Sequence, residues 1–275
     1  MKLKAYAQYA TRLVRSGISD RLDSRWNKDP LAARPTATAE EFLSLAGEAA
    51  GRTYAEADKL ESETSFAIDK NWLDELALHT QIVKKQSQLS YVHGRLLYSL
   101  LRRYISDNRP SFVSILETGT ARGFSAICMA KALDDAGVNG HVITIDRLPH
   151  LNPIFWNCID DLDGKKTRRE LLEPWRSLCD RITFLQGDTL NQIRKVGLNR
   201  VNFAYLDAQH SREDVLNEFA FVKRLQFKGD IVFFDDVTRE QFPGVCDAVD
   251  ELEQREDYFV HRIRAGRGFA WAIRK

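Results

Sequence analysis

The stretch that decides the fold is ILETGTARGFSAICMAKAL, residues 115–133 of the 275-residue chain. It begins inside the apolar run FVSILE (112–117), passes through Gly119 and Gly123, and continues as a helical pattern over 123–135. An apolar run of this length is typical of a strand that is buried on both faces. Glycines between such a strand and a helix permit a tight turn, which brings a ligand close to backbone N–H groups at the helix N-terminus. The stretch therefore predicts a strand, a ligand-binding turn and a helix.

The alternation of strand and helix continues along the rest of the chain. Four more apolar runs follow: HVITID (141–146), ITFLQG (182–187), VNFAYLD (201–207) and DIVFFDD (230–236). Further helical patterns cover 166–178, 189–196, 212–226 and 242–255. Alternation of this kind is typical of a parallel sheet with helices on both faces.

The last 18 residues break the alternation. They contain YFVHRIR (258–264), a glycine-containing turn (265–268) and FAWAIRK (269–275). Two strands joined by such a turn form a hairpin, so we expect the final strand to be antiparallel. For residues 111–275 the sequence thus predicts a doubly wound α/β fold with a mostly parallel seven-stranded sheet and an antiparallel last strand.

Residues 1–110 carry helical patterns and are expected to form a separate N-terminal region that caps the sheet domain or mediates oligomerisation. Residues 1–30 combine a local excess of four positive charges with apolar residues near helical spacing, which predicts a short basic amphipathic helix. We favour packing on the main domain or on a dimer mate over a membrane-surface role for this helix. A capping box predicts a helix over 39–50, and an apolar face predicts another over 86–106.

Composition excludes several classes of protein. The chain has 40 Lys+Arg and 39 Asp+Glu, a formal net charge of +1, whereas nucleic-acid-binding domains usually have a strongly basic face. The four cysteines form no C-x-x-C pair, which excludes a zinc ribbon and disfavours a disulfide framework. No window approaches 18 apolar residues, and the N-terminus lacks the apolar core of a signal peptide. We therefore expect a cytoplasmic protein that binds no nucleic acid and spans no membrane.

Acidic residues follow all five predicted parallel strands. They are Glu117, Asp146, Asp188, Asp207 and the pair Asp235–Asp236. One acidic residue after a strand is ordinary turn chemistry. In an open α/β sheet, however, ligands bind beyond the carboxyl ends of the strands, so carboxylates at five equivalent positions predict a functional edge.

The turn after the first strand favours one kind of cofactor. Its spacing is G-x-x-x-G rather than the G-x-G-x-x-G of dinucleotide-binding turns, and Glu117 beside it would repel a pyrophosphate. Asp146, 23 residues beyond Gly123, suits a carboxylate that accepts both hydroxyls of a ribose. A ligand with a ribose, a cationic end and no phosphate matches this edge, and S-adenosylmethionine is such a ligand. The alternatives are a nicotinamide-dependent oxidoreductase and a non-catalytic binding protein with the same fold.

The motifs in this order resemble those of class I S-adenosylmethionine-dependent methyltransferases. They are the stretch quoted above, HVITID, ITFLQGDT, VNFAYLDAQHSREDV and GDIVFFDDV. More narrowly, residues 111–275 are similar to metal-dependent O-methyltransferases of the catechol O-methyltransferase kind and to bacterial relatives from natural-product and surface-sugar pathways. The resemblance implies a Rossmann-like methyltransferase fold and metal-assisted O-methylation of a hydroxyl on a small molecule, such as a sugar, a natural product or a phenol. It also implies S-adenosylmethionine and Mg²⁺ as cofactors.

The resemblance assigns cofactor-binding roles to residues of the first turn and of the strand ends. The residues around the turn are Glu117, Gly119, Thr120, Gly123 and Ser125, and those at later strand ends are Asp146, Asp188 and Asp207. In the family pattern, Ser125 would meet the methionine carboxylate, Asp146 would hold the ribose and Asp188 would lie near the adenine.

The resemblance also implies a metal site and a base. Asp207, Asp235 and Asp236 fall at the positions of the Mg²⁺ ligands. The catechol enzyme has an asparagine at the position of Asp236, so this chain carries one more negative charge there. His210 falls at the position of a lysine that acts as general base, which makes His210 and Asp207 the expected catalytic residues.

Two further parts of the chain are left with open roles. The connection 147–175 is longer than most loops of compact domains, which is typical of lids and of inserted structure. Its Phe155, Trp156 and Trp175 could stack on an acceptor or hold the insertion against the core, and the second role is slightly favoured. The N-terminal helices are candidates for a homodimer contact.

Overall fold

The computed structural model describes residues 24–275, so most of the basic amphipathic helix expected within 1–30 lies outside the described residues. Seven strands form one sheet: β1 (Val113–Thr118), β2 (Gly140–Asp146), β3 (Ile182–Gln186), β4 (Phe203–Leu206), β5 (Ile231–Phe234), β6 (Tyr258–Ile263) and β7 (Phe269–Arg274). All seven predicted strands are thus present.

The strand order in the sheet is β3-β2-β1-β4-β5-β7-β6. Strands β1 to β5 pair in parallel, and β7 pairs antiparallel with both β5 and β6. Strands β1, β4 and β5 have no exposed residue, because helices cover both faces of the sheet. The predicted doubly wound fold with an antiparallel last strand is confirmed.

Within the described residues, four α-helices precede the sheet: α1 (Ala39–Ala50), α2 (Ala55–Thr64), α3 (Lys70–Thr80) and α4 (Val92–Asn108). Helix α1 begins at the predicted capping box, in which Glu41 N donates to Thr38 Oγ1 at 3.2 Å. Helix α4 begins at Val92, later than the predicted start at residue 86. Residues just before it are hydrogen-bonded to α3, where Tyr91 Oη donates to Asp74 Oδ1 at 2.7 Å.

The N-terminal helices and the sheet share one hydrophobic core. Phe42 of α1, Leu76 of α3 and Leu97 of α4 are fully buried in the same cluster as residues of β1 and β5. Tyr104 Oη of α4 also donates to Asp230 Oδ1, just before β5, at 2.8 Å. The helices therefore pack directly on the sheet domain, and the division of the chain at residue 110 stays a prediction.

Six more helices follow β1 along the chain. They are α5 (Phe124–Asp135), α6 (Arg168–Leu171), α7 (Arg176–Cys179), α8 (Thr189–Gln192), α9 (Arg212–Arg224) and α10 (Pro243–Glu253). Those at 124–135, 212–224 and 243–253 match predicted helices to within two residues at each end. The helix predicted over 166–178 is divided into α6, a 3₁₀ turn and α7, because Pro174 in the turn cannot donate a helical hydrogen bond.

The insertion at 147–175 is held against the domain by its tryptophans. Trp156 is fully buried, and its Nε1 donates to Lys166 O at 2.7 Å. Trp175 is also buried and packs edge-on against His79 of α3. Both indoles thus serve to hold the insertion in place.

The described helices include none with the length and hydropathy that a bilayer crossing needs.

Candidate active site

The carboxyl ends of the central parallel strands meet at one edge of the sheet. Backbone hydrogen bonds continue past the strands there: Gly119 N donates to Ile145 O at 2.9 Å, and Asp207 N donates to Thr118 O at 2.9 Å. Asp235 N donates to Leu206 O at 3.3 Å. These bonds fix the first residues after β1, β4 and β5 side by side, as the sequence predicted for the acidic edge.

The turn after β1, residues 119–123, is called the glycine turn. Gly119 has φ +93°, and a Cβ there would lie 2.2 Å from Asp207 O, so no side chain fits between β1 and β4. Gly123 has φ +96°, and a Cβ would lie 2.8 Å from Leu172 Cδ1 of the insertion. Both glycines of the predicted G-x-x-x-G pattern are therefore required by their surroundings.

The glycine turn is held from two sides. Asp146 at the end of β2 accepts from Ala121 N at 2.6 Å and from Leu148 N at 2.7 Å. The buried Arg168 of α6 donates to Ala121 O at 2.9 Å. Ala121 itself has φ +46°, a left-handed conformation that is uncommon outside glycine and typical of functional sites. Arg168 was not predicted as a site residue, since it lies in the long insertion.

A buried hydroxyl and carboxylate network lies under the glycine turn. The Glu117 carboxylate accepts hydrogen bonds from Ser125 and Thr144, and Thr144 Oγ1 lies 2.5 Å from Thr120 Oγ1. Burial raises the pKa of Glu117 to about 7. The network places Ser125 at the first turn of α5, next to the predicted cofactor loop.

A cavity of about 180 Å³ lies at the same edge. Its lining includes Trp26, Gly119, Ala121, Asp146, Thr189 and Asp207. Asp188, just before Thr189, caps α8 through Asn191 N at 3.3 Å and forms an ion pair with Arg147. Predicted cofactor residues from β1, β2 and β4 therefore surround one cavity, with Asp188 beside it. Trp26 was not predicted as a site residue.

Asp207, His210 and Asp236 form a second group, called the acidic cluster. One ligand atom from each residue lies within 4.8 Å of the others. His210 Nε2 lies 3.0 Å from Asp236 Oδ2 and 3.9 Å from Asp207 Oδ1. The His210 ring also packs on Phe242, with ring centroids 4.6 Å apart. The structure thus brings the predicted base next to two of the predicted metal ligands.

Asp235 lies beside the acidic cluster, because Tyr205 Oη also contacts Asp207 Oδ2, at 3.3 Å. Asp235 Oδ2 accepts from Tyr205 Oη at 2.6 Å, and its Oδ1 accepts from Asp236 N at 2.7 Å. Asp236 has φ +60°, a left-handed conformation that turns its carboxylate toward His210. Of the three predicted metal ligands, Asp207 and Asp236 share the cluster, and Asp235 supports it through hydrogen bonds.

Arg267, in the turn between β6 and β7, also binds the acidic edge. Its Nε lies 2.8 Å from Asp236 Oδ1, and one of its terminal nitrogens lies 3.9 Å from Asp235 Oδ2. The turn is pressed against the end of β5, since a Cβ at Gly268 would lie 2.4 Å from Val237 O. Its position between Gly266 and Gly268 marks Arg267 as a turn residue, but nothing in the sequence connects that turn with the end of β5.

The electrostatics of the acidic cluster favour added positive charge. Burial and the neighbouring Asp235 raise the pKa of Asp207 well above its usual range, and burial also raises the pKa of Asp236. The carboxylates of Asp207 and Asp236 raise the pKa of His210 to about 9. Each shift reflects excess negative charge in a partly desolvated place.

The sheet has the strand order of the class I methyltransferase fold, which the motifs predicted. Residues 116–237 match the family model described as a methyltransferase domain. No curated protein matches the sequence of the chain.

Three solved structures illustrate the similarity of the fold. A putative O-methyltransferase from Klebsiella pneumoniae is 16% identical, with a TM-score of 0.55, and the match covers 81% of this chain and 97% of that chain. The O-methyltransferase TomG from Streptomyces achromogenes, involved in tomaymycin synthesis and solved in complex with SAM, is 18% identical, with a TM-score of 0.55 and coverage of 81% and 96%. An O-methyltransferase from Bacillus cereus in complex with SAH is 19% identical, with a TM-score of 0.53 and coverage of 81% and 98%.

Proposed function

We propose that this protein transfers the methyl group of S-adenosylmethionine to a hydroxyl of a small molecule. The observation that carries the proposal is the position of Asp207, which lines the cavity beside the glycine turn and also belongs to the acidic cluster. A cofactor in that cavity and an acceptor at the cluster would therefore be neighbours. Methyl transfer needs such proximity, because positioning two reactants supplies a large part of the barrier reduction.

The cavity residues suit the parts of S-adenosylmethionine. Asp146 would accept hydrogen bonds from the ribose hydroxyls, and Asp188 would lie near the adenine, as the family resemblance implies. The N-terminus of α5, next to Ser125, would receive the methionine carboxylate, since backbone N–H groups at a helix N-terminus favour anions. Buried Glu117 and the carboxylates of Asp146 and Asp207 disfavour the pyrophosphate of a nicotinamide dinucleotide. This argues against the oxidoreductase alternative.

On the acceptor side, His210 would take the proton of the reacting hydroxyl at Nδ1, because Nε2 carries the hydrogen that bonds to Asp236. The imidazole is half-exposed, so it can pass the proton on to solvent. Asp207 and Asp236 would orient the imidazole by hydrogen bonds. Phe242 packs on the imidazole of His210 and would limit its rotation. The two carboxylates also attract the developing positive charge of a protonated imidazole.

The acidic cluster fits a divalent cation. Donor atoms within 4.8 Å of one another can be brought onto one divalent cation by small side-chain shifts, because such a cation holds oxygen ligands at about 2.0–2.6 Å. Asp207 and Asp236 would hold the ion, and Asp235 would keep Asp236 in place through its backbone N–H. Bound there, a divalent cation would lower the pKa of the acceptor hydroxyl and offset the charge that raises the pKa of His210.

The acceptor is proposed only as a hydroxyl-bearing small molecule: a sugar, a natural product or a phenol. Lys85, in the segment between α3 and α4, interacts electrostatically with Arg267, Asp236 and Arg122. This segment and the N-terminal helices would therefore border the acceptor. A homodimer formed through the N-terminal helices also stays a proposal.

Calorimetric titration tests the proposed cofactor. We expect the purified full-length chain to bind S-adenosylhomocysteine at one site per chain, and to bind NADH or NADPH at least about 100-fold more weakly. Absence of heat with S-adenosylhomocysteine together with saturable NADH binding would contradict the proposal in favour of the oxidoreductase. Cofactor binding without methyl transfer to any of a panel of sugars, phenols and natural products would favour the non-catalytic binding protein.

A further inference from the structure

The N-terminal side of the chain contributes an aromatic wall to the cofactor cavity. Trp26 lies in the 3₁₀ turn Ser24–Asn27 and lines the same cavity of about 180 Å³ as Gly119, Asp146 and Asp207. More than 90 residues separate Trp26 from the glycine turn in sequence. Nothing in the methyltransferase motifs therefore points to it, and its position follows from the tertiary structure alone.

Trp26 occupies the side of the cavity that belongs to β2 and β3. The Arg147 guanidinium, just after β2, lies 5.7 Å from the centre of the Trp26 ring. Arg147 in turn forms an ion pair with Asp188, which follows β3. The acidic cluster lies on the opposite side, after β4 and β5. A methyl group delivered to that cluster leaves the nucleoside end of the cofactor on the side of Trp26.

Residues 24–32, here called the strap, are held over the cavity by polar contacts. Asn27 Oδ1 accepts from Gln186 Nε2 at the end of β3 and from Asn152 Nδ2 of the insertion, each at 3.1 Å. Asp29 pairs with Lys165 at 2.6 Å, and Ala32 forms an antiparallel bridge with Phe155. The strap therefore joins the end of β3 to the insertion.

The strap is attached by these polar contacts and by Trp26 and Leu31, which pack against the buried cluster around Trp156 of the insertion. The polar contacts are hydrogen bonds and an ion pair at the surface, and exposed pairs of this kind add little stability. The cavity beneath is also smaller than the roughly 300–1,000 Å³ of typical small-molecule sites. A cofactor of nucleoside size therefore requires the strap to shift outward from the cavity.

We infer that Trp26 is a cofactor-binding residue, whose indole packs against the adenine of S-adenosylmethionine, and that the strap is the cover of the adenosyl site. The inference rests on the proposed function, because it presupposes the adenosyl cofactor. Stacking of an aromatic side chain on a nucleobase contributes about 1–3 kcal/mol to binding, or about 10- to 100-fold in affinity, because every base presents a π-face. The Arg147 guanidinium packs on the indole and forms an ion pair with Asp188, and these contacts hold the Trp26 ring in position.

Binding of two adenosyl ligands to three variants tests the role of Trp26. The ligands are S-adenosylhomocysteine and 5′-methylthioadenosine, which keeps the nucleoside and lacks the amino-acid end. We expect Trp26→Ala to weaken both by about 10- to 100-fold, and Trp26→Phe to recover most of the loss. Trp72→Ala is the matched control, because Trp72 is also half-buried but lies on α3 away from the cavity; its affinities should equal those of the wild type.

The outcomes separate this inference from the proposed function. If the wild type binds neither ligand, the cofactor assignment fails. If the wild type binds both and Trp26→Ala binds them equally well, the role of Trp26 is overturned. A loss for S-adenosylhomocysteine alone would also overturn it, because Trp26 would then contact the amino-acid end.

Hydrogen–deuterium exchange tests the cover. Saturating S-adenosylhomocysteine should slow amide exchange in residues 24–32 of the wild type, and should slow it much less in Trp26→Ala at equal occupancy. Unchanged exchange of the strap in the saturated wild type would contradict its role as a cover.

Discussion

The two halves of the site are built in different ways. The glycine turn is fixed by backbone geometry: its glycines have positive φ, and one Cβ at Gly119 would collide with the backbone after β4. The acidic cluster is fixed by charge, because Asp207 and Asp236 are balanced by His210 and Arg267. The first half therefore tolerates almost no change of shape, whereas the second is sensitive to changes of charge. We therefore expect substitutions in the glycine turn to have larger effects than substitutions in the acidic cluster.

The largest effect is expected from Gly119→Ala. The new Cβ would lie 2.2 Å from Asp207 O at a φ of +93°, so the ends of β1 and β4 must separate. We expect a loss of stability of about 3 kcal/mol or more and loss of measurable S-adenosylhomocysteine binding. Thermal unfolding and calorimetry measure the two effects.

Gly137→Ala is the control for backbone strain. Gly137 also has a positive φ, +62°, but a Cβ there meets nothing within 4 Å. This variant should lose only about 1–2 kcal/mol and bind S-adenosylhomocysteine like the wild type. Equal losses for the two alanine variants would refute the steric account of the glycine turn.

The second effect comes from removing one charge of the acidic cluster. Asp236→Ala should lower methyl transfer by about 100-fold or more, because it removes a proposed metal ligand and the nearer partner of His210, whereas an asparagine would keep a ligand oxygen there. Its affinity for S-adenosylhomocysteine should stay within about threefold of wild type, whereas its affinity for Mn²⁺, measured by electron paramagnetic resonance, should fall at least tenfold. Glu240→Gln, an exposed neighbour, serves as the control. Wild-type Mn²⁺ affinity in Asp236→Ala would remove Asp236 from the metal site.

A third prediction concerns the pH dependence of stability. Glu218 of α9 is buried and accepts from Thr118 Oγ1 at 2.7 Å, and burial raises its pKa to about 8 from 4.5. The folded state thus binds the Glu218 proton more tightly than the unfolded state. The contribution of Glu218 to the free energy of unfolding therefore falls as pH rises from about 4.5 to 8. Glu218→Gln keeps a hydrogen-bonding side chain without the ionisation. Its Tm should therefore rise relative to wild type between pH 6 and pH 9.

The exposed Glu213 on the same helix provides the control for Glu218. Glu213→Gln should show no change of Tm relative to wild type over the same pH range. A Tm difference between Glu218→Gln and wild type that does not vary with pH would show that Glu218 ionises normally in the fold.

The smallest effect is expected from Arg267→Gln. Removing the guanidinium that pairs with Asp236 leaves more negative charge at the acidic cluster. We expect the affinity for Mn²⁺ to rise by roughly 3- to 10-fold, because the partly exposed guanidinium no longer competes with the ion for Asp236. The Tm without metal should fall by a few degrees, because the Arg267–Asp236 ion pair is lost. A decrease of Mn²⁺ affinity would instead make Arg267 a supporting residue of the metal site.

The comparison of the two halves also explains what the sequence could predict. Strand ends, the glycine turn and Asp146 were predictable because continuous apolar runs and glycine spacing reflect local backbone geometry. The sequence could not predict that Asp236 belongs to the acidic cluster while Asp235 accepts from Tyr205. Successive residues of an extended chain point to opposite sides, but the left-handed φ of Asp236 bends the chain there, and no local pattern predicts that bend. Only the tertiary structure shows that Asp235 faces Tyr205.

Residues that reach the site from distant parts of the chain had no local signal. Trp26 and Arg168 come from the strap and the insertion, and Arg267 comes from the final hairpin turn. Their roles depend on which elements the sheet order brings together, and pairwise contacts over such separations leave no periodicity in one sequence. The break of the helix predicted over 166–178, in contrast, had a visible cause in Pro174.

The most direct test of the central claim is a crystal structure of the full chain with S-adenosylhomocysteine and Mn²⁺. The account predicts the ribose hydroxyls on Asp146, the sulfur directed toward Asp207, and an anomalous Mn²⁺ peak between Asp207 and Asp236. S-adenosylhomocysteine bound away from the glycine turn, or an anomalous peak away from the acidic cluster, would contradict it.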